Sequence, residues 1–283
     1  MSVRMIVDST VDLTPEIQAQ MQVVPLTIHF GEEEYIDGVT ITGHEFYEKL
    51  VESEVLPTTS QATPFAFEKV FREAVEAGDQ VVCLTIAATL SGTCQSACIA
   101  AEEYPDQVFV VDSHTVAIGS GILAEYALRL IGEGKSAREV ARALTEKRDH
   151  VRVLAMLDTL EFLKRGGRIS KTAAIAGSLL SIKPVLTVLN GEISVIGKAR
   201  GSRQANNLLV QEIGRAGGVD FDKPVLLGYT GMSDVLLKKY MEDSAALWKG
   251  HLDHLPTTLV GSVVGTHAGP GAVAVAFFSA EEA

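Results

Sequence analysis

The chain of 283 residues has no apolar run approaching the ~20 residues of a membrane-spanning helix. Its N-terminal stretch, MSVRMIVDST, contains no signal-peptide apolar region. The three cysteines, Cys83, Cys94 and Cys98, form no CxxC pair and have no nearby histidine in sequence, so we interpret them as reduced core residues. We therefore expect a cytoplasmic protein without stable membrane insertion.

Nucleotide and metal motifs are also scarce. No GxxxxGK[ST] segment is present, so the sequence does not predict ATP binding through a P-loop. Gly119–Ala124 matches GxGxxA, but it does not directly follow a predicted strand, and no acid stands at a strand end about 20 residues later. His251 and His254 have no further ligand clustered with them in sequence. We therefore predict neither a dinucleotide, a metal ion nor another cofactor.

Basic residues are outnumbered, 24 against 36 acidic ones, and the net charge of −12 argues against general nucleic-acid binding. The segment Lys164–Arg203 differs, because it contains eight basic residues and only one acid, Glu192. Two interpretations are open. The segment either forms a basic face that meets a phosphate or an acidic partner protein, or it is a solvated surface whose basic side chains point in different directions.

The first half of the chain alternates short apolar runs with helical patterns. We predict strands at Arg4–Val7, Val23–Phe30, Val81–Ala88 and Gln107–Val111, with helices between most of them. One of these helices begins at the capping pair Thr63-Pro64 and carries apolar residues at helical spacing. Such alternation predicts a mostly parallel sheet covered by helices on both faces.

The second half begins near Val151 and contains the strongest hairpin signal in the chain. Asn190-Gly191 separates two apolar runs, which predicts a β-hairpin and hence a mixed or antiparallel sheet. We also predict strands at 256–264 and 272–278, with His267 in the Gly/Pro-rich turn between them. The predicted fold class is α/β, with two α/β domains at residues 1–150 and 151–283.

A strand, a hydroxyl-glycine turn and a helix follow one another around Ser91-Gly92-Thr93. This order aims backbone N–H groups and the positive end of a helix dipole at an anion. No Lys or Arg occurs between Arg72 and Arg129, so the loop supplies no cation. We therefore expect a singly charged anion such as a carboxylate rather than a nucleoside triphosphate.

Thr58–Gln61 forms a second hydroxyl cluster, just before the helix at Thr63-Pro64. Such residues are often ordinary helix caps, and a histidine like His267 is often structural. Taken together, however, the two loops and the histidine could surround one carboxylate. In this hypothesis Thr59 and Ser91 donate through their hydroxyls and His267 through a ring nitrogen.

Two alternative functions remain open. Ser91 and His267 could form a serine hydrolase triad with Asp8 or Asp112, although Ser91 does not lie in a GxSxG motif. The protein could also be an interaction module without a ligand.

An ordered set of segments spans residues 8–272 of the chain. These segments are Asp8-Ser9-Thr10, Thr59-Ser60-Gln61, Ser91-Gly92-Thr93, Asp112-Ser113, Leu163–Arg168, Lys183-Pro184 and His267–Ala272. The ordered set, rather than any single segment, resembles the DegV family of bacterial fatty-acid-binding proteins.

The resemblance implies two α/β domains with a long-chain fatty acid buried between them. It further implies that the carboxylate is held by Thr59, Ser91 and His267. The supporting loop residues would be Ser60, Gly92, Thr93 and Gly269. As candidates for the lining of the buried tunnel we consider the predicted helices at 64–77 and 170–180.

Family members known as FakB present their fatty acid to a separate ATP-dependent kinase subunit, which forms an acyl-phosphate for phospholipid synthesis. By resemblance, this chain would be a carrier subunit of such a fatty acid kinase without chemistry of its own. One basic residue from each of two pairs is then implied in docking the kinase or in meeting the phosphate: Arg165 or Arg168, and Arg200 or Arg203.

Overall fold

The computed structural model describes residues 2–169, 182–251 and 254–280. In the first half of the chain the elements are β1 (Val3–Asp8), α1 (Pro15–Gln18), β2 (Gln22–Val24), β3 (Thr27–Phe30), β4 (Glu33–Ile36), α2 (Gly43–Glu52), β5 (Thr58–Ser60), α3 (Pro64–Glu76), β6 (Gln80–Thr85), α4 (Thr93–Ala101), β7 (Val108–Asp112), α5 (Ile118–Gly132) and α6 (Ala137–Lys147). In the second half they are β8 (Val151–Met156), α7 (Glu161–Arg165), β9 (Ile182–Leu189), β10 (Glu192–Arg200), α8 (Gly201–Arg215), β11 (Leu226–Tyr229), α9 (Val235–Asp243), α10 (Ala245–Trp248), β12 (Thr257–Leu259), α11 (Ser262–Ala268) and β13 (Val273–Phe278). Within these ranges no helix is both long and apolar enough to cross a bilayer.

A four-stranded sheet in the order β2-β1-β6-β7 is parallel throughout. Parallel strands bury both faces, which explains why Val81 to Leu84 form an unbroken, fully buried apolar run. The parallel sheet predicted for the first half is confirmed. A smaller antiparallel sheet, β4-β3-β5, accompanies it.

The second half forms a six-stranded sheet in the order β10-β9-β8-β13-β11-β12. Its pairs are antiparallel except for β11 and β12, which run parallel. The β9–β10 hairpin turns at Asn190 and Gly191, whose φ angles of 51° and 76° are those of a two-residue turn that needs positive φ. The mixed sheet predicted from this hairpin is confirmed.

Two helices connect the sheets. Helix α5 packs against β1 and β6 of the parallel sheet and against β8, β11 and β13 of the six-stranded sheet. Its residues Ile118 and Ile122 share one buried cluster with Val7 from the parallel sheet and with Val153 and Ala276 from the other. Helix α11 belongs by sequence to the second half of the chain, but it packs against α2, β3 and β5 of the first half.

Two predicted elements of the first half were wrong in detail. The run Val23–Phe30 is divided into β2 and β3 around Pro25, and these strands enter different sheets. Proline has no N–H for a sheet ladder, so it separates the two pairings. The polar segment at residues 57–61, expected as a loop, contains β5, because Thr59 pairs with Ile28 of β3.

Two further corrections concern the second half. The strand predicted at 256–264 is only the three residues of β12, and the chain then turns into α11. His267 therefore lies in the last turn of a helix, not in a turn between strands. The basic loop at 164–168 begins inside α7, whose last residue is Arg165, and only residues 166–168 follow it as a loop.

Candidate functional site

A cavity of about 400 Å³ is lined by β5, by the loop that follows β6 of the parallel sheet, by the six-stranded sheet, and by α5 and α11. Its lining is mostly aliphatic, with valine, leucine, isoleucine and alanine side chains from both halves of the chain. The polar members come from β5 and its end, from the loops before α4 and after α7, from the end of α11, and from β11 and its end. They are Thr59, Ser60, Gln61, Ser91, Arg168, His267, Tyr229 and Thr230. A volume in this range is that of small-molecule sites, and the composition suits an apolar molecule with one polar group.

Thr59 and His267 are in direct contact. Thr59 Oγ1 and His267 Nε2 lie 3.0 Å apart and share one hydrogen bond. Thr59 is held on β5 by its pairing with β3, and His267 is held at the end of α11. The two predicted ligand residues, 208 positions apart in sequence, therefore meet at the cavity.

Ser91 reaches the same cavity from the loop before α4. Its Oγ lies 2.9 Å from Thr93 Oγ1 and accepts a hydrogen bond from the Thr93 backbone N–H at 3.3 Å. Gly92 is the N-cap residue of α4 and also lines the cavity, whereas Thr93 is fully buried behind it. The positive end of the α4 dipole thus begins at the cavity wall, as the sequence pattern indicates.

Close backbone contacts assemble the polar end. A Cβ atom on Gly166 would lie 2.1 Å from His267 Nδ1, so the imidazole rests directly on the backbone that follows α7. A Cβ atom on Gly92 would lie 2.0 Å from Gln61 Oε1. Gln61 in turn donates from Nε2 to Ser96 Oγ at 3.0 Å. Glycine at these two positions lets the loop before α4 approach Gln61 and the loop after α7 approach His267 at the end of α11. Gly269, the C-cap residue of α11, packs against the Phe162 ring.

Arg168 brings a positive charge to the cavity, whereas the resemblance implied that either it or Arg165 meets a kinase partner or its phosphate. Its Nε donates to Leu90 O at 3.1 Å and its Nη1 to Gly166 O at 2.7 Å, and the side chain lines the cavity beside His267. Burial, reinforced by the positive charge of Arg168, lowers the pKa of His267 to about 4. The imidazole is therefore neutral at pH 7, and the cation at this end is Arg168.

The other three basic candidates lie outside the cavity formed by the described residues. Arg165 is exposed and pairs with Glu161, with Nε and Oε1 2.7 Å apart. It lines a smaller pocket to which Thr59 and His267 also belong. Arg200, the last residue of β10, and Arg203, in the first turn of α8, are both exposed. Among the described residues, Arg168 thus meets the predicted ligand residues inside the cavity and Arg165 shares the smaller pocket with two of them, whereas Arg200 and Arg203 line neither.

The geometry does not support the hydrolase alternative. His267 is hydrogen-bonded to Thr59 rather than to Ser91, and its Nδ1 faces Gly166 instead of a carboxylate. Both oxygens of Asp8 are engaged, Oδ1 by Thr10 and Oδ2 by the Ile86 backbone N–H.

Asp112 Oδ1 likewise accepts from the backbone N–H groups of Ala88 and His114. These two acids hold the loops at the carboxyl edge of the parallel sheet. Within the part of the chain that the structure describes, no group of three His, Cys, Asp or Glu side chains is arranged to hold a metal ion.

Some lining residues escaped the sequence analysis. Gln61 was part of a recognised segment but was not assigned to the site. Ala155, Gly228 and Ala274 of the six-stranded sheet also line the cavity, and no sequence motif predicted them. The helix predicted to line the tunnel at 64–77 is α3, whose buried Phe67 and Phe71 belong to a core cluster and do not line the cavity. The other predicted lining helix, at 170–180, lies outside the described residues.

The fold and the site together define an α/β protein that encloses an apolar cavity with one polar end. The family model described as "Uncharacterised protein, DegV family" matches residues 2–280. The chain belongs to the DegV family.

Individual relatives resemble the chain over nearly its whole length. A DegV domain-containing protein of Deinococcus radiodurans is 36% identical over 98% of each chain. A solved DegV family protein from Thermus thermophilus, described for its fatty acid binding, is 33% identical with a TM-score of 0.87 and covers 99% of this chain and 100% of its own. A stearic acid-binding protein from Eubacterium ventriosum is 29% identical with a TM-score of 0.87, over 99% of this chain and 98% of its own.

Proposed function

We propose that this protein binds a long-chain fatty acid, with the tail in the apolar cavity and the carboxylate at Thr59, Ser91 and His267. The observation that carries the proposal is the mostly aliphatic cavity to which Thr59, Ser91 and His267 all contribute, with Thr59 and His267 in direct contact. The fatty-acid-binding relatives from Thermus thermophilus and Eubacterium ventriosum support it. The supporting loops supply Ser60, Gly92, Thr93 and Gly269.

The tail supplies most of the binding free energy in this proposal. Burying about 15 methylenes at ~0.8 kcal/mol each contributes roughly 12 kcal/mol before the costs of ordering and association. The head group then mainly sets the orientation. A neutral imidazole and two hydroxyls hold the carboxylate without a bidentate guanidinium clamp, and the nearby Arg168 is already engaged with two backbone carbonyls.

The first experiment compares two serines in matched positions. Ser91 Oγ accepts from the backbone N–H two residues later at 3.3 Å, and Ser233 Oγ accepts from Val235 N at 3.3 Å in the same way, away from the cavity. We expect solvent extraction and native mass spectrometry of the purified protein to show one bound fatty acid. Ser91→Ala should weaken uptake of palmitate or oleate about tenfold, and Ser233→Ala should not. A blank extract together with no uptake would refute the proposal.

We further propose that the protein presents the carboxylate to a partner kinase and performs no chemistry itself. The exposed cations Arg165, Arg200 and Arg203 would dock the kinase or meet the phosphate. A fatty acid kinase subunit with ATP should then form acyl-phosphate on the bound lipid. Arg200→Ala and Arg203→Ala should reduce this turnover while leaving the dissociation constant of the fatty acid unchanged. Equal losses of turnover and binding would count against docking.

Arg168 is expected to behave differently from these three residues because it lines the cavity next to His267. Arg168→Ala should reduce both fatty acid affinity and kinase turnover. Labelling of Ser91 by a fluorophosphonate probe would instead favour the hydrolase alternative.

A further inference from the structure

Helix α11 carries His267 at its C-terminal end, and residues of the first half hold its N-terminal end. Tyr47 Oη donates to Val260 O at 2.9 Å, and the Gly261 N–H donates to Asp12 Oδ1 at 2.7 Å. These bonds fall on the two residues immediately before the helix begins. The segment that delivers His267 is therefore fixed at its start by side chains that lie far away in sequence.

Asp12 also contacts the second helix of the cavity wall. Its backbone N–H donates to Ala117 O at 3.3 Å, directly before α5 begins. A Cβ atom on Gly121 of α5 would lie 2.0 Å from Asp12 O, so α5 and the Asp12 backbone are in direct contact. Ala117 and Val260 both line the cavity. Asp12 thus joins the starts of the two helices that form this wall.

The Asp12 carboxyl is suited to act as a hydrogen-bond acceptor and not as one member of an ion pair. The residue is 7% exposed, and its Oδ2 has no hydrogen-bond partner among the described residues. Burial raises the pKa of Asp12 well above its ordinary value, the carboxylates of Asp37 and Asp8 raise it further, and the Gly261 N–H opposes them. A neutral carboxyl accepts from an amide at lower desolvation cost than an ionised one.

We propose that Asp12 and Tyr47 are positioning residues for the carboxylate site, because they fix the start of α11 and thereby hold His267 against Thr59. The distance along the helix from Gly261 to His267 is about 9 Å at 1.5 Å per residue. A small pivot of α11 about its N-terminal end would therefore shift the His267 ring away from Thr59 and Gly166. Geometric precision of this kind depends on supporting contacts of the site residues.

The test uses three variants and one matched control. Asp12→Ala and Tyr47→Phe each remove one bond to the start of α11, whereas Asp12→Asn keeps an acceptor oxygen. Thr258→Val is the control. Thr258 Oγ1 donates to Leu13 O at 2.8 Å, so this substitution removes another hydrogen bond between the same two regions, at a position upstream of the helix. The readouts are the His267 titration by NMR between pH 5 and 7.5 and the affinity for oleate.

We expect wild-type His267 to stay neutral throughout this range, because its pKa is about 4. In Asp12→Ala and Tyr47→Phe the ring should begin to titrate within the range as it leaves its buried position beside Arg168, and oleate affinity should fall about tenfold. Asp12→Asn should keep both the His267 titration and the oleate affinity close to wild type, and Thr258→Val should leave the titration unchanged.

An unaltered His267 titration in folded Asp12→Ala and Tyr47→Phe protein overturns the proposal, as does an equal change in Thr258→Val. Should Asp12→Ala fail to fold, Tyr47→Phe decides alone. The affinity readout rests on the proposed function, but the titration does not. If the wild-type protein bound no fatty acid, the NMR result would still test whether these residues position His267.

Discussion

At the scale of single residues, His267 combines a half-buried position with a neighbouring cation, Arg168. Its ring is hydrogen-bonded to Thr59 on one side and rests on Gly166 on the other, so protonation brings no new carboxylate partner. Arg168 adds repulsion to the cost of burying the charge. A neutral ring at pH 7 can donate through only one nitrogen, which limits it to a single hydrogen bond toward a bound carboxylate.

The depressed pKa of His267 predicts a pH-dependent stability. The pKa of His267 is about 4 in the folded protein, against the ordinary value of 6.5 that applies to the unfolded chain. The unfolded chain therefore binds more protons at pH values between these two. The stabilising contribution is complete above pH 6.5 and is lost as pH falls, by about 2–3 kcal/mol between pH 7 and 4.5. Urea unfolding of wild type and His267→Gln at several pH values should show this loss only in wild type. Parallel curves would contradict the assignment.

At the scale of secondary-structure elements, the packing of α7 against α11 depends on the absence of a side chain. Gly166 follows α7 with ordinary negative φ, so alanine there is acceptable to the backbone but not to the His267 ring. Gly166→Ala should therefore destabilise the protein by about 1–3 kcal/mol through overpacking and displace the imidazole. Gly214→Ala in α8 meets no atom within 4 Å and should be neutral or stabilising. Denaturant unfolding of both variants compares them, and equal free energies of unfolding would exclude the clash.

The six-stranded sheet supplies a second prediction at this scale. Ala155, Ala274 and Gly228 are direct neighbours in register across β8, β13 and β11, and all three line the cavity. Ala274→Leu adds three carbon atoms, which occupy the space of about three tail methylenes worth ~0.8 kcal/mol each. We expect affinity for an 18-carbon acid to fall by about 2 kcal/mol, with little change for a 14-carbon acid. Isothermal titration across a chain-length series measures this, and a uniform loss at all lengths would argue against a role in length selection.

Local sequence signals predicted some elements of the site better than others. The strand, turn and helix around Ser91 follow from short-range patterns, and the Asn190-Gly191 hairpin needs only its own two residues. The helix that carries His267 was missed, because Val263 and Val264 favour a strand locally and the contacts with Tyr47 and Asp12 are tertiary. The one local signal was Gly269, which follows the helix with positive φ.

The side of the sheet on which a residue lies is equally hard to read from sequence alone. Ala155, Gly228 and Ala274 line a cavity only because three strands that are distant in sequence come together in one register. The resemblance implied that Arg165 or Arg168 meets a kinase partner or its phosphate, and the hydrogen bonds of Arg168 to two backbone carbonyls hold its side chain at the cavity. Charge patterns identify the segment, whereas tertiary contacts decide which of its members face the cavity.

At the scale of the whole molecule, the parallel sheet and the six-stranded sheet are built from separate halves of the chain, but helices of each half pack against the other half. We retain a domain boundary near residue 150 as a proposal, since the strands of the parallel sheet end at Asp112 and those of the six-stranded sheet begin at Val151. Helix α5 of the first half packs against strands of the second half, and α11 of the second half packs against elements of the first half. The proposed tail site is formed by both halves, so neither half encloses it alone.

These crossing helices predict that the protein unfolds as one unit. Val7 and Leu84 of the parallel sheet share a buried cluster with Val153 and Ala276 of the six-stranded sheet, through α5. Separating the halves would expose this cluster to water at about 25 cal/mol per Å². Calorimetry should therefore show a single transition whose van't Hoff and calorimetric enthalpies agree, and residues 1–150 expressed alone should not form a stable fold. Two resolved transitions, or a cooperatively folded 1–150 fragment, would show that the halves are independent and that the cavity between them can open without global unfolding.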